Sequence, residues 1–403
     1  MTSSLFLTPN PPLPATQGAP MRNLTMIRAA ATRGPVDLIT FGGFEAITDA
    51  MTSDELTRLC RRFTFIPTPR RTTAQRAKTL ARSHLPDMAH RLWSDDFHAT
   101  YRRWVAKHDY DLIQVEGIEM ARFALADAPE RKIIFDDHNV EFLLQQRAFE
   151  FDRWRITRIH AAAYSALQAR RLRRFEREVC LHAQAVVTVS AEDAARLRAL
   201  GPCDPQIIPN AIDIDSYPFQ GDRADHSATL LFPGTMDFRP NADAALWFID
   251  QVLPRLMAIT PQVLCYFAGR NPSPTLIKHG QHNHRIAVTG EVPSMAPYWN
   301  RAAVCILPLQ GGGGTRFKAL EAMAYGVPII STGLGMEGIE ALAGRDYLRA
   351  DDPASFAEAV AHLLQNPSLQ SALSANGRRV VERGYTQAVV TERLGKLYQR
   401  LCA

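Results

Sequence analysis

The stretch LPLQGGGGTRFKALEAMAYGVPIIST, residues 307–332, decides how the rest of the chain is read. It continues an apolar run, VCILPL (304–309), passes through four glycines, Gly311, Gly312, Gly313 and Gly314, then sets Phe317, Leu320 and Ala324 at helical spacing. Thr315 is the expected N-cap, Gly326 is suited to close the helix, and Pro328 prevents its continuation into VPIIST (327–332). Strand, loop, helix, strand is the repeat of a parallel α/β sheet, with the glycines at its carboxyl edge. Glycine there lets backbone N–H groups approach a ligand, and a helix start favours an anion. Arg316 and Lys318 oppose the helix dipole unless an anion docks beside them; an i,i+3 ion pair between Lys318 and Glu321 is the competing account.

Working outward, the same alternation recurs on both sides. SLFLTP, VDLITFG, FTFIP, DLIQVEG, KIIFDD and AVVTVS are strand candidates in the first half; ATLLFPG, VLCYFAG, IAVTGE, VCILPL and VPIIST follow in the second. They are continuous apolar runs, as expected of strands buried on both faces. Helices such as NADAALWFIDQVLPRL (241–256) fall between them, so the chain reads as two Rossmann-like, doubly wound α/β domains. The Pro- and Asp-rich segment 206–227 marks the boundary, giving domains 1–212 and 213–385. Three helices end the chain, the last (about 386–403) packing back on the first domain. Fold rules put ligands at the carboxyl ends of the strands, which predicts a cleft faced by the two sheets.

Composition narrows the class. The chain has 403 residues, 46% hydrophobic and 22% charged, with six scattered cysteines and no Cys/His cluster, which suits reduced thiols and predicts no zinc site. No apolar run is long enough for a membrane helix, and the start lacks a signal-peptide pattern, so a cytoplasmic location is expected. The net charge of +5 is concentrated: residues 56–86 carry eight Lys/Arg and no acid, and RWRITRIHAAAYSALQARRLRRFER (153–177) is a second basic run. Such runs attract phosphates or are simply solvated faces of an arginine-rich protein. The segment 56–86 makes peripheral contact with an anionic membrane, at its inner face, an expectation. The glycine loop lacks the Walker order G-x-x-x-x-G-K-[ST], and the first βα turn lacks G-x-G-x-x-G, which argues against an NAD enzyme.

These residues resemble the retaining GT-B glycosyltransferases of family 4, also called group 1. LPLQGGGGTRFKALEAMAYGVPIIST is similar to that family's donor-binding motif, VVTVSAEDAARLRALG with IIPNAIDIDSYPF to its interdomain segment, and LLFPGTMDFRPNADAALWF to the opening of its second domain. SLFLTPNPPLPATQGAPMRN resembles its first strand and acceptor-side loop, and IIFDDHNVE its histidine-bearing loop. The resemblance implies a GT-B architecture and transfer of a sugar, with retention, from a nucleotide-diphosphate sugar to a glycan or lipid-linked hydroxyl acceptor in bacterial polysaccharide or glycolipid synthesis. It implies no cofactor beyond the nucleotide-sugar co-substrate, no metal and no nucleic acid. By the same resemblance Glu321 would hold the donor ribose, Arg316 and Lys318 would neutralise the diphosphate, and Gly234, Thr235, Gly312, Gly313, Gly314 and Thr315 would line the donor. His138 would face the sugar near the reacting centre, and Gly18 would belong to the acceptor-side loop.

The chain departs from the family at three places. Gly313 stands where the first glutamate of E-x7-E is usual, Thr235 and Pro240 replace an Arg and a Lys (leaving Arg239 nearby), and QGAP replaces a glycine pair. A nucleotide-sugar epimerase, a pyridoxal-phosphate phosphorylase of the same fold and a non-catalytic binding protein are the alternatives. Asp213-Ile214-Asp215 is formally a D-x-D metal signature, though in the expected linker. Ser190 reads as a helix N-cap with Asp193, His138 alternatively as a loop residue capping its own backbone, and Asp136 and Asp137 as loop or surface charges.

Overall fold

In the computed structural model, which describes residues 1–15, 18–42, 50–126, 132–154, 156–221, 228–313 and 316–402, every side chain of β1 (Ser4–Thr8) is buried. Leu5 and Leu7 join one apolar cluster and Phe6 a second, so alternate side chains serve opposite faces of a single sheet. That two-sided burial is why the strands read as unbroken apolar runs. The chain divides into two compact units, Met1–Ala211 with Gln387–Ala403, and Ile212–Thr386.

In the first unit β1 lies beside β2 (Val36–Phe41) and β4 (Leu112–Glu116), all parallel. β3 (Arg62–Ile66) extends one side; β5 (Ile133–Asp137), β6 (Ala185–Thr188) and β7 (Gln206–Ile207) extend the other. The order 3-2-1-4-5-6-7 reverses between β1 and β4. Helix Gln387–Cys402 packs against helix Gly18–Ala31, and its Val390, Leu394 and Leu397 are buried in the cluster that holds Phe6.

The second unit repeats the plan. β8 (Thr229–Pro233) lies between β9 (Leu264–Ala268) and β11 (Val304–Leu307); β10 (Ile286–Gly290), β12 (Ile329–Ser331) and β13 (Leu348–Arg349) complete a parallel sheet of order 10-9-8-11-12-13. β7 and β13 went unread in the sequence because two residues carry no periodicity. The single helix expected over 241–256 is instead α-helix Arg239–Trp247, a π-helical turn Phe248–Val252 and α-helix Leu253–Ile259. Pro254 explains the interruption, since it has no N–H to return to the carbonyl one turn back.

Candidate functional site

The opening stretch begins its helix later than expected. Helix Phe317–Tyr325 has Arg316 at the N-cap position, without a side-chain cap; Gly314 and Thr315 lie outside the described residues. Gly326 closes it in the left-handed conformation at φ 71°, as its lack of a Cβ allows. The loop leaves β11 beside β8, at the reversal of strand order where open α/β sheets collect ligands.

Four features meet there. The Lys318 ammonium donates to Asn241 Oδ1 at 2.7 Å and stands 4.8 Å from the centre of the Phe232 ring. Asn241 Nδ2 in turn donates to the Thr235 carbonyl at 2.9 Å, which ties the lysine to the turn after β8. Gly234 must lack a side chain, because a Cβ there would come within 2.8 Å of Asn241 Nδ2 and 3.0 Å of Lys318 Nζ. Arg316 is buried and donates through Nη1 to the Gly313 carbonyl at 2.9 Å, while Gly312, at φ 98°, sits against Pro240. Gly234, Thr235, Gly312, Gly313, Arg316 and Lys318 are thus brought to one strand edge.

Electrostatics gives that edge its character. Burial, followed by the charge of Arg316, pushes the Lys318 ammonium down to about 7. Burial raises the Glu321 carboxyl to about 7, against the opposing pull of Tyr217 and Lys318. The i,i+3 ion pair is not what these residues make: Lys318 turns to Asn241, and Glu321 accepts a long 3.4 Å contact from the Tyr217 hydroxyl. A cation whose main partner is a neutral amide, beside a second buried cation and a glycine loop, is suited to receiving an anion. Arg239 pairs with Asp243 along its own helix at 3.5 Å.

The first unit carries different chemistry at the carboxyl ends of β4 and β5. His138 follows β5 and bonds through Nε2 to Glu116 Oε2 at 2.9 Å, with Asp136 Oδ2 at 3.9 Å. It therefore does not cap its own backbone. The other Glu116 oxygen accepts from Gln114 Nε2 at 2.8 Å, and Gln114 Oε1 accepts from the Tyr398 hydroxyl at 2.8 Å. Asp136 and Asp137 are buried rather than surface charges. Arg22 clasps Asp136 through Nε at 2.9 Å and Nη2 at 2.7 Å, and also reaches the Ile208 and Pro209 carbonyls and Asn210 Oδ1. Burial acts against a charged His138, but the Glu116 bond and the Asp136 and Glu116 charges outweigh it and raise its pKa. Burial and the charge of Asp136 raise the Glu116 carboxyl as well.

A Cβ on Gly117 would lie 3.8 Å from His138 Nδ1, so the bare glycine leaves that nitrogen approachable. Gly18 is the exposed first residue of helix Gly18–Ala31, the helix that carries Arg22. Sequence reasoning missed Arg22, Gln114, Glu116, Asn241 and Tyr217. One signal was available: DLIQVEG places Gln and Glu inside an otherwise apolar buried strand, an expensive location unless they are partnered.

Among the described residues, Glu116, Asp136 and His138 form the group whose ligand atoms lie close enough for a metal ion, within 4.8 Å of one another. The set fits a cation poorly, because Arg22 already holds both Asp136 oxygens and Gln114 and His138 hold those of Glu116. Asp213 accepts from the Ser216 hydroxyl at 2.9 Å and flanks a short 3₁₀ turn, an ordinary loop role for the D-x-D. Ser190 caps helix Ala191–Arg198 and bonds Asp193, as read. No helix of the described residues is long and apolar enough to cross a membrane.

Comparison with known proteins supplies a family. The profile "Glycosyltransferase Family 4" matches residues 50–216 and "Glycosyl transferases group 1" matches residues 227–366. A phosphatidyl-myo-inositol mannosyltransferase of Mycobacterium leprae is 26% identical over 240 residues, covering 54% of this chain and 60% of its own. The alignments span 46% and 60% of the length of two curated relatives, so this chain matches about half of each. Sucrose-phosphate synthase from Thermosynechococcus elongatus superposes with a TM-score of 0.73 at 18% identity, over 100% of this chain and 99% of that one. Anabaena HepE in complex with UDP-glucose superposes with a TM-score of 0.65 at 12% identity, over 98% and 99%. Both likenesses establish the two-domain fold.

Proposed function

This chain belongs to the group 1, family 4 glycosyltransferases, and from that premise we propose that it moves a sugar from a nucleotide-diphosphate sugar to a hydroxyl acceptor. In this reading transfer proceeds with retention, without a metal, in polysaccharide or glycolipid synthesis. The observation that carries it is Lys318, a half-buried cation held by neutral Asn241 against Gly234 and beside the glycine loop.

The residues divide the work. The backbone of Gly312 and Gly313 approaches the donor diphosphate, with Arg316 pinning the loop and Lys318 supplying charge. Glu321, one turn further along the helix, accepts from the ribose diol once it has lost its proton. The acceptor hydroxyl attacks the anomeric carbon from the side on which the diphosphate departs. The carbon–oxygen bond to phosphate breaks with its electron pair on that oxygen, which takes the acceptor proton. No protein nucleophile is required; positioning and stabilisation of the leaving group provide the rate. His138 offers its Nδ1–H to a substrate oxygen, and Glu116 is a positioning residue that orients the ring through Nε2 and favours its protonated form.

A thermal-shift panel of nucleoside diphosphates tests the donor part. One base should raise the midpoint selectively, and Lys318→Ala should abolish that shift. No shift with any diphosphate would sink the donor site. NMR of the product anomer tests retention, and turnover in excess chelator tests metal independence.

A further inference from the structure

Helices Glu141–Asp152 and Ile159–His182 form an antiparallel hairpin in the first unit, closed by the short 3₁₀ turn Ile156–Arg158. Its tip breaks the ordinary rule for large apolar side chains. Trp154 is 79% exposed, Ile156 89% and Ile159 63%, three within six residues, whereas the other exposed large apolar residues are scattered along the chain. Phe142, Leu143, Leu144, Phe149 and Phe151 of the shorter helix are only half-buried, and Asp152 is that helix's one buried residue.

The surroundings are cationic. The Arg153 guanidinium stands 4.8 Å from the centre of the Trp154 ring, and Arg158 reaches the buried Asp152 at 3.5 Å. From Arg153 to Phe175 the sequence holds seven arginines and no acid. The basic helix Thr73–Arg82, which has no buried residue, is tied to the long helix by Arg171, whose Nη2 donates to the Leu80 carbonyl at 2.9 Å. By contrast, three cations of the flanking basic segment are already committed: Arg61 and Arg62 to Asp37, and Arg71 to Asp87.

We propose that this hairpin tip is a membrane-docking element, inserting Trp154, Ile156 and Ile159 into the interface of a bilayer rich in anionic phospholipid. Three physical points favour that occupant. Three exposed apolar side chains are a small fraction of the roughly 20–30 residues a side, about 800 Å² per partner, that a stable protein interface buries. A fluid bilayer needs no complementary pocket. Tryptophan favours the headgroup level, and arginines beside it can lie along lipid while meeting phosphate. Charge selects the anionic leaflet. The element is independent of the sugar-transfer reading, since it uses none of that site's residues.

Co-sedimentation of the full chain with phosphatidylcholine vesicles, with and without phosphatidylglycerol, tests it. The chain should bind the anionic vesicles, and Trp154→Ser with Ile156→Ser should weaken binding by roughly tenfold per side chain while leaving the melting temperature unchanged. Brominated lipid should quench tryptophan emission in the parent chain and much less in Trp154→Phe, which keeps binding. Absence of binding to anionic vesicles at low salt overturns the proposal. Equal binding by the double serine variant overturns it too, assigning attachment to charge alone. So does a parent chain that is dimeric where that variant is monomeric, since the tip would then meet a second copy.

Discussion

The two units share one strand order over six strands, with β7 added in the first, yet carry opposite chemistry at the carboxyl ends of those strands. At the carboxyl ends of β4 and β5 the first unit buries a network in which Arg22, from the helix after β1, neutralises Asp136 and Glu116 holds His138. At the β8/β11 edge the second unit holds Lys318 on the neutral amide of Asn241 and Arg316 on the Gly313 carbonyl. The first edge pairs Asp136 with a cation and orients one imidazole. The second is electrostatically expectant, with a cation whose proton is held weakly until an anion arrives. The same topology therefore fixes where chemistry can happen, and the side chains on the loops decide which chemistry it is.

The contrast is sharpest in its response to losing one cation. Arg22→Ala strands the buried Asp136 carboxylate and should cost about 3–5 kcal/mol of stability, read as a lowered denaturation midpoint. Lys318→Ala removes a cation held by the neutral Asn241 amide, so the fold should survive while turnover falls by roughly 10²–10³-fold. If Lys318→Ala unfolds the chain and Arg22→Ala does not, the comparison is reversed and the expectant-site account fails.

pH offers a finer test within the second unit. Burial holds the Lys318 ammonium down to about 7 in the free protein, so it loses its charge as pH climbs through that value, and a bound diphosphate must raise it. Binding then takes up a proton and weakens as pH climbs past 7. Glu321 runs the other way: its carboxyl, raised to about 7, must lose its proton to accept from a diol, so binding weakens as pH falls below 7. Donor affinity measured calorimetrically should be bell-shaped, and Glu321→Gln should flatten its acid limb alone. A profile unchanged by that substitution would remove Glu321 from the donor site.

The smallest effect belongs to the first unit. Glu116→Gln keeps the hydrogen-bonding shape but removes the charge that favours imidazolium, so the His138 pKa should fall. NMR titration of His138 should follow that fall, and the alkaline limb of kcat should move to lower pH. An unmoved titration would show that Asp136 alone sets the imidazole.

Much of this was legible beforehand because parallel strands buried on both faces must be apolar throughout. The glycine loop was legible for a related reason: Gly312 occupies a left-handed φ of 98° that other residues adopt only with strain. Glu321 and Lys318 stood out by position in the helix, but their partners did not. Asn241 lies 77 residues from Lys318, and Arg22 lies 114 from Asp136, and no local pattern encodes such pairs. The mistaken reading of Asp136 and Asp137 as surface charges has the same origin, since only the fold supplies the cation that makes burying Asp136 tolerable.

By itself, then, the sequence determined the repeated α/β plan, the strand-edge position of the glycine loop and the helix that carries Lys318 and Glu321, all of which depend on local periodicity and on backbone freedom. Only the tertiary structure decided which charges are neutralised and which wait for a partner. That outcome depends on groups far apart in the chain meeting in a medium of low dielectric, where a single contact sets whether a charge is stable.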